Sequence, residues 1–452
     1  MKMRSTFYSK FIIGVLGFTL LLVSTLQAGN ITLKVGLYPY VPRIDQFQTV
    51  LKAQWKAVHP NVDLIFETSW DGGYKAPPPA DVDVFVFDAM FFESFRSKGF
   101  LEPLNKSEIV HIDDFVDYAI KGVEHNSTYY AIPQLGCANI LFYKTNDRLL
   151  SQVKSISELN SVLNECTYTS QIPPDTRGLM LDMKGSTTNA TFYLDIAHSR
   201  DNTYPLPLPA TDELNAVVIQ DMRELLYMAS YENATDDPPQ DYGRADWFSE
   251  GYGRALIGFT EHMSQMSAQT RSSIGFKPLP MTENSNKPLF YADVIAVNSK
   301  TKRRSLAVEL ANVMASKETM IKSIGADKSN PYPQYLMSVR PSVFIEIGKK
   351  FPLYNQMHEM IKKNNPIMFK LDSRARKWLD STADAIRTQV QEKYVCGCDQ
   401  ISSSYISSDS SAQSICPLVC SNFGGWNGKW TNQIPAAPSG KSVCGCNRCD
   451  IP

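Results

Sequence analysis

The chain has 452 residues, of which 43% are hydrophobic and 11% aromatic. It can bury a large core, and this composition excludes a disordered protein. Its 45 lysines and arginines are balanced by 46 aspartates and glutamates. No net field therefore draws it to nucleic acid or to an anionic membrane, and we expect small or neutral partners.

Residues 1–28 have the organisation of a secretory signal peptide. Three basic residues precede an apolar run over residues 11–23, and small and polar residues follow up to Ala28. An uncleaved anchor is the alternative, because Leu26 is a poor residue three positions before the cut. Since no later segment has the length and hydropathy of a membrane span, we expect no membrane contact after cleavage.

Five acceptor sequences for N-linked glycans occur in the chain, at Asn30, Asn105, Asn126, Asn189 and Asn233. Such sequences arise by chance, but five of them in a chain with a signal peptide favour a glycosylated product. We therefore expect a secreted or lysosomal protein.

The segments after the signal alternate between strand-like and helix-like patterns. Residues 31–66 indicate a strand, an amphipathic helix and a second strand. Residues 82–87 form a continuous apolar run typical of a strand that is covered on both faces, and helical spacing begins at Ala89. This alternation predicts an α/β domain with a largely parallel sheet.

A longer β-type run, "STYYAIPQLGCANILFYKTN", is interrupted by Pro133 and Gly136. A proline and a glycine within a strand mark a bend or a close backbone approach, and Cys137 lies just past them. Further along, "ALIGFT" is a short strand before a turn that opens a helix, and "KPLFYADVIAVNS" is another strand. Residues 346–394 have a mostly helical pattern.

The tail from about Val395 is rich in serine, glycine and cysteine and poor in aliphatic residues. It cannot bury much of a core, so cross-links must stabilise it. Disulfides are the expected staples, and a zinc cluster is the alternative. At most three bridges form among the seven cysteines, and the remaining one either pairs with Cys166, stays free or links two chains. The seven are Cys396, Cys398, Cys416, Cys420, Cys444, Cys446 and Cys449.

Cys137 stands apart from the other cysteines. A lone cysteine on an apolar strand is ordinarily a small core residue, but a free thiol beside a bend is also a candidate nucleophile. A nucleophile needs a base, and Glu261 follows the strand "ALIGFT", whose end faces the ligand crevice in an open α/β sheet. Glu261 could instead be a carboxylate at a helix N-terminus, where the helix dipole favours it. His262 is a competing candidate for the base.

Further carboxylates and aromatic rings also lie within predicted strands or near their ends. Asp88 follows a buried strand, where it could also be a helix cap, and Asp293 interrupts a strand, where an unpaired carboxylate is costly to bury. Several aromatic rings converging on a cleft would suit a flat, electron-poor, cationic and amine-bearing ligand. The tyrosines concerned are Tyr38, Tyr40, Tyr74, Tyr242 and Tyr291.

Four common catalytic motifs do not occur: G-x-x-x-x-G-K-[ST], G-x-G-x-x-G after a strand, H-E-x-x-H and G-x-S-x-G. The six histidines are scattered, so we expect neither a catalytic metal nor a cofactor.

The segments "VGLYPYVPR", "VDVFVFDAMF", "YAIPQLGCANILFYK", "ALIGFTEHM" and "YADVIAVNS" resemble thiaminase I, a family of thiamine pyridinylases. The resemblance covers roughly residues 31–390. It implies a two-lobed α/β fold of the type II periplasmic-binding-protein class with a cleft between the lobes. The cysteine-rich tail lies outside the family pattern.

The resemblance also implies roles for particular residues. Cys137 matches the family's nucleophile and Glu261 its base. The residues that match the family's substrate contacts are Asp88, Asp293, Tyr40, Tyr74, Tyr242 and Tyr291. Phe259 stands where the family pattern has a tyrosine, so a hydroxyl contribution there is in doubt.

The expected organisation is a signal peptide over 1–28, a two-lobed domain over 29–394 and a stapled tail over 395–452. Lobe 1 is predicted at about 29–133 and 288–345, and lobe 2 at about 134–287 and 346–394.

The resemblance implies a monomeric, secreted transferase that replaces the thiazole of thiamine with an amine, pyridine-like or thiol nucleophile through a covalent Cys137 adduct. The alternative is a two-lobed binding protein that captures thiamine or a related solute without chemistry, because a fold alone does not fix a function. A third hypothesis, that the tail is a protein-interaction or cell-wall module, concerns only the residues from about 395.

Overall fold

The structure, a computed structural model, describes residues 31–163, 178–183, 186–201, 208–231, 243–282, 287–391, 400–432 and 440–446. The predicted signal peptide, Tyr242 and the predicted glycan acceptors Asn30 and Asn233 lie outside the described residues. In the part of the chain that is described, no helix is both long and apolar enough to cross a membrane.

Seventeen strands are assigned in the described residues. They are β1 (Ile31–Gly36), β2 (Val62–Phe66), β3 (Val84–Asp88), β4 (Glu124–His125), β5 (Thr128–Tyr129), β6 (Ile132–Cys137), β7 (Ile140–Lys144), β8 (Leu179–Met180), β9 (Ala229–Tyr231), β10 (Ala255–Gly258), β11 (Ile274–Pro278), β12 (Leu289–Val297), β13 (Met337–Ser338), β14 (Ile367–Met368), β15 (Gln400–Ile401), β16 (Trp426–Thr431) and β17 (Val443–Cys446).

Fifteen α-helices accompany these strands in the same ranges. They are α1 (Ile44–Val58), α2 (Phe92–Ser97), α3 (Asp117–Gly122), α4 (Arg148–Gln152), α5 (Ile156–Leu163), α6 (Ser186–Asp201), α7 (Ala216–Tyr227), α8 (Gly243–Glu250), α9 (Ala268–Ser272), α10 (Arg304–Met314), α11 (Lys317–Ile324), α12 (Pro341–Gly348), α13 (Leu353–Asn364), α14 (Ala375–Gln391) and α15 (Asp409–Val419).

The first lobe is built on a mixed sheet with the strand order β13-β6-β12-β3-β1-β2, and β14 pairs with β12. Strands β1, β2 and β3 are parallel, whereas β12 runs antiparallel to both β3 and β6. Every residue of β3 is buried, as expected for a strand that is covered on both faces. On α1, Phe47, Leu51 and Trp55 recur every four residues and form its buried stripe.

The second lobe has its own sheet with the order β11-β7-β10-β8-β9. Strands β10, β8 and β9 are parallel, and β7 pairs antiparallel with β10 and β11. Helices α6, α7 and α14 pack against one another beside this sheet. Strand β10 falls within the run "ALIGFT", which the sequence predicts as a short strand.

The structure places two segments differently from the predicted lobe boundaries. All of β6, up to Cys137, lies in the first sheet, although the sequence-based boundary falls at residue 134. Helix α13 packs on α12 and β14 pairs with β12, whereas α14 packs on α6 and α7 of the second lobe. The proline and glycine in β6 suggest a boundary there, but Pro133 lies beside a register shift within the sheet rather than at a crossing between lobes.

The tail forms a small unit with a hydrophobic cluster of its own. Strands β15, β17 and β16 make an antiparallel sheet, and α15 packs on it. Two disulfides, Cys416–Cys444 and Cys420–Cys446, join α15 and its C-terminal end to β17. The disulfide prediction is confirmed for these four cysteines. Cys396, Cys398, Cys449 and Cys166 lie outside the described residues.

Among the predicted glycan acceptors that are described, Asn105 and Asn126 are exposed. Asn189 lies within α6 with only 1% of its surface exposed. A glycan has no access to that side chain in the folded protein, so Asn189 is not an acceptor there. The sequence pattern does not distinguish it from the others because accessibility depends on tertiary packing.

Candidate active site

Four of the predicted site residues share one face of the first sheet. Strands β3 and β6 both end at the same edge, with Asp88 as the last residue of β3 and Cys137 as the last of β6. Between them, β12 places Asp293 opposite Asp88 and Tyr291 opposite Cys137. Residues directly opposite in an antiparallel pair lie on the same face, so the four side chains meet at the carboxyl edge of β3 and β6.

Glu261 comes from the other lobe. Strand β10 ends at Gly258, and a 3₁₀ helix over Thr260–Ser264 follows it, with 7% of Glu261 exposed. Its carboxylate is close enough to Cys137 for its charge to raise the pKa of the thiol. The two predicted reaction partners therefore belong to different sheets and face each other across the cleft.

The electrostatics of this cleft favour a protonated thiol in the resting protein. Burial raises the pKa of Cys137 well above its ordinary value, and the charges of Glu261, Asp293 and Asp88 raise it further. Burial also raises the pKa of Glu261, which makes that carboxylate a stronger base than an exposed one. Cys137 thus needs a base, and Glu261 is poised to act as one.

The two aspartates differ in their surroundings. Asp88 is buried and accepts hydrogen bonds from the Met90 amide at 2.9 Å and from the Tyr74 hydroxyl at 2.7 Å. Burial nevertheless raises its pKa to about 6. Asp293 is half-buried, and burial followed by the charges of Asp88 and Glu261 raises its pKa well above the ordinary range. Like charges this close favour a cationic ligand or the uptake of a proton.

A group of tyrosines lies beside Asp88. The Tyr38 and Tyr74 hydroxyl oxygens are 3.3 Å apart, and the ring of Tyr40 meets both rings edge to face, with centroid distances of 5.4 and 5.6 Å. Tyr40 is 40% exposed, so a ligand can reach its ring. Tyr38 is among the tyrosines that the sequence places near a cleft, but only Tyr40 and Tyr74 of these three match the family's substrate contacts.

The hydroxyl of Tyr291 is turned toward the second lobe. It donates a hydrogen bond to Asp195 Oδ2 at 2.8 Å, and the same oxygen accepts one from Asn139 Nδ2 at 2.6 Å. Asp195 lies in the middle of α6, and burial raises its pKa to about 7. Tyr291 therefore presents its ring to Cys137, and its hydroxyl is held by a carboxylate that sequence reasoning missed.

His262, the competing base, faces another way. Its Nδ1 lies 3.1 Å from the Phe259 amide, and its Nε2 lies 3.5 Å from the guanidinium of Arg244. After burial, the charge of Glu261 is the largest contribution to the raised pKa of Cys137. The geometry therefore favours Glu261 as the partner of the thiol.

Within the described residues, no group of three or more histidine, cysteine or acidic side chains is arranged to hold a metal ion. The cleft instead combines a thiol, three carboxylates and a set of aromatic rings. It can hold a cationic aromatic molecule and bring a nucleophile and a base to it.

Two family models match the chain. A Thiaminase-1 domain model matches residues 138–282, and a mannan-binding protein model matches residues 409–446 of the tail. Thiaminase-1 of Paenibacillus thiaminolyticus is 38% identical over 359 residues, which make up 78% of this chain and 86% of that protein.

Comparison with solved structures also finds similarity to thiaminase I. Clostridium botulinum thiaminase I in complex with thiamin has a TM-score of 0.75 at 36% identity, covering 79% of this chain and 100% of that one. Maltose-bound MalE3 of T. maritima, at 13% identity and a TM-score of 0.56, covers 80% of this chain and 98% of that one. This second similarity concerns the fold alone and confirms the predicted two-lobed periplasmic-binding-protein-like architecture.

The cleft chemistry, the fold and the identity to characterised relatives agree. An identity of 38% extends over most of both chains, and the structural match spans both lobes. This chain therefore belongs to the thiaminase I family.

Proposed function

We propose that this protein degrades thiamine by base exchange, with Cys137 as the nucleophile and Glu261 as its base. The observation that carries the proposal is the juxtaposition of this thiol and this carboxylate, one from each lobe, beside Asp88 and Asp293. Thiamine is cationic and carries an aminopyrimidine, so it suits a cleft with several carboxylates and tyrosine rings.

The first half of the reaction forms a covalent adduct. Cys137 gives its proton to Glu261, and the thiolate adds to the electron-poor C6 of the pyrimidine. The electron pair of the ring then expels the thiazole from the bridging methylene, and the thiazolium nitrogen takes the pair of the breaking carbon–nitrogen bond. Asp88 and Asp293 hydrogen-bond to the aminopyrimidine and favour its protonation, which makes it a better electron sink.

The second half releases the enzyme. An amine, a pyridine-like base or a thiol attacks the methylene carbon, the bond between C6 and sulfur breaks, and the thiolate recovers its proton from Glu261. For a primary amine, the products are the substituted pyrimidine, the neutral thiazole and one proton lost to solvent. The aromatic rings of Tyr40 and Tyr74 hold the flat pyrimidine by stacking throughout.

A mass-spectrometric assay with thiamine and an aromatic amine tests this function. Wild-type protein should yield the pyrimidine–amine product and free thiazole, and Cys137→Ser should bind thiamine without turnover. If both proteins bind thiamine and neither consumes it, the chain is a solute-binding protein instead.

We further propose that the protein is secreted or lysosomal and glycosylated. The signal-like residues 1–28 and the exposed acceptors Asn105 and Asn126 support this. Endoglycosidase treatment of protein from a eukaryotic secretory host should lower its mass. No change in mass would remove glycosylation from the proposal.

For the tail, we propose binding of a mannose-containing glycan. The match of residues 409–446 to a mannan-binding protein model supports this, together with a set of exposed and half-buried aromatic and polar side chains. Tyr405 is 56% exposed, its hydroxyl accepts a hydrogen bond from Asn432, and Trp430 donates one to Asp409 at 2.8 Å. Rings of this kind pack on the apolar faces of sugars, while amides and carboxylates bond to hydroxyls.

Retention of the full chain on immobilised mannan tests the tail. Wild-type protein should be retained and then eluted by free mannose oligomers, and Tyr405→Ala should elute early. The matched control is Leu418→Ala, which removes another exposed apolar side chain of the tail, 76% exposed, and should behave as wild type. Passage of the wild-type protein without delay would contradict glycan binding.

A further inference from the structure

The candidate nucleophile and base lie on different lobes, so the reaction centre is complete only when the lobes are together. Cys137 ends β6 of the first sheet, and Glu261 follows β10 of the second. Some contact must hold the two lobes at the distance that the chemistry needs. The cleft side of the molecule has such a contact at Arg271.

Arg271 binds the segment that carries Glu261. It lies in α9 of the second lobe, and its guanidinium donates hydrogen bonds to the carbonyl oxygens of Met263, at 3.2 Å, and of Met266. Met263 belongs to the same 3₁₀ helix as Glu261, and these carbonyls lie at and just beyond the C-terminal end of that helix. The guanidinium therefore fixes the turn on which the carboxylate is mounted.

The same guanidinium is stacked on the first lobe. Its central carbon lies 3.9 Å from the centroid of the Tyr332 ring and 5.6 Å from that of Tyr335. Both tyrosines lie between α11 and β13 of the first lobe, where Gln334 bonds to the backbone of Arg43 and of Ser323. Arginine is suited to this double use because its planar group can stack through its face while its edge donates hydrogen bonds.

We propose that Arg271 is a positioning residue that couples lobe closure to the placement of Glu261 through its contact with Tyr332 of the opposite lobe. This contact between Arg271 and Tyr332 is called the clasp below. Closing the cleft brings the tyrosine ring onto the guanidinium, whose edge already holds the turn that carries the base. The clasp thus holds the carboxylate against Cys137 only in the closed form. The role assigned to Glu261 rests on the proposed function, but the clasp itself does not.

Tyr332→Ala tests the clasp most cleanly. Tyr332 is 41% exposed, and the hydrogen bond that its backbone carbonyl accepts from Arg43 survives the change. We expect kcat/KM for thiamine to fall by about 3- to 30-fold, the range that a cation–π contact supplies. Tyr332→Phe keeps the ring and should retain wild-type turnover.

The partner variant separates coupling from simple destabilisation. Arg271→Lys keeps the positive charge but loses the planar stack, so it should also lower kcat/KM. If the two residues act together, the double variant Arg271→Lys and Tyr332→Ala should have a kcat/KM no lower than that of the less active single variant. Lys52→Gln removes a cation–π contact with Phe66, the last residue of the edge strand β2, and should leave turnover unchanged.

Alkylation of Cys137 by iodoacetamide gives a readout that does not require thiamine turnover. Opening the lobes exposes the thiol and moves Glu261 away, so Tyr332→Ala should be alkylated several-fold faster than wild type and Tyr332→Phe at the wild-type rate. Unchanged alkylation and unchanged turnover in Tyr332→Ala would overturn the clasp. If wild-type protein does not consume thiamine but Tyr332→Ala is alkylated faster, the clasp stands and the proposed chemistry fails.

Discussion

At the scale of single residues, the cleft combines a thiol that resists ionisation with a carboxylate that readily accepts a proton. Burial disfavours the charged forms of both Cys137 and Glu261. Proton transfer between them moves the charge from one to the other rather than creating it in a dry cleft. A cationic ligand would stabilise the thiolate that results.

Glu261 should dominate the acid limb of the activity profile. The carboxylate must be deprotonated to act as a base, so kcat/KM should rise as the pH rises through its raised pKa. Glu261→Gln should lower kcat by about 10²- to 10⁴-fold and remove that limb. Steady-state assays between pH 4 and 9 provide the measurement. An acid limb that persists in the variant would move the base role to another group.

Several site residues were predictable from the sequence because strand ends are visible there. Cys137, Asp88 and Glu261 each end or follow a strand-like run, and such ends meet at a cleft. Asp195 was not predictable, because it lies in the middle of a helical segment and nothing local distinguishes it. Arg271 and Tyr332 were equally hidden, because they are far apart in sequence and meet only through the packing of two lobes.

At the scale of elements, α6 contributes a buried carboxylate to the junction of the two lobes. Asp195 is hydrogen-bonded to Tyr291 of β12 and to Asn139, which lies between β6 and β7. It thereby ties a helix of the second lobe to a strand of the first at the place where the chain crosses. This tie is independent of the clasp on the cleft side.

Asp195→Asn should stabilise the protein at alkaline pH. The folded-state pKa of about 7 exceeds the unfolded value of about 4, so the folded state binds the proton more tightly and unfolding free energy falls as the pH rises between these values. An amide never ionises but can still accept the bond from Tyr291. We expect about 2 to 4 kcal/mol of added stability at pH 8 and less at pH 5.

Chemical denaturation at both pH values measures this difference. The matched control is Asp113→Asn, which changes an exposed aspartate and should have almost no effect at either pH. A variant less stable than wild type at pH 8 would show that the charge of Asp195 is compensated in the folded protein.

The tail should respond to reduction independently of the catalytic lobes. Cys416–Cys444 and Cys420–Cys446 staple a unit whose small core includes all four of these cysteines, and bridges closing loops of this size each contribute about 3 kcal/mol. Reduction by tris(2-carboxyethyl)phosphine, which carries no thiol that could act as the second nucleophile, should therefore abolish retention on mannan and leave thiamine turnover unchanged. Loss of both activities together would indicate that the tail supports the lobes.

At the scale of the whole molecule, the proposed reaction depends on two lobes, each of which supplies part of the candidate site. The sequence predicts this architecture through alternating strands and helices and through the family resemblance. It misplaces the lobe boundaries because a strand before a crossing and a strand after it look alike locally. The structure assigns β6 to the first lobe, which puts the proposed nucleophile and the proposed base on opposite sides of the cleft.

The covalent adduct on Cys137 is the central claim, and peptide mapping by mass spectrometry tests it most directly. Wild-type protein would be incubated with thiamine without an added nucleophile, quenched in acid and digested. The peptide containing Cys137 should gain the mass of the aminopyrimidinylmethyl group, and Cys137→Ser should show neither this gain nor turnover. Thiamine consumption by Cys137→Ser at the wild-type rate would contradict it.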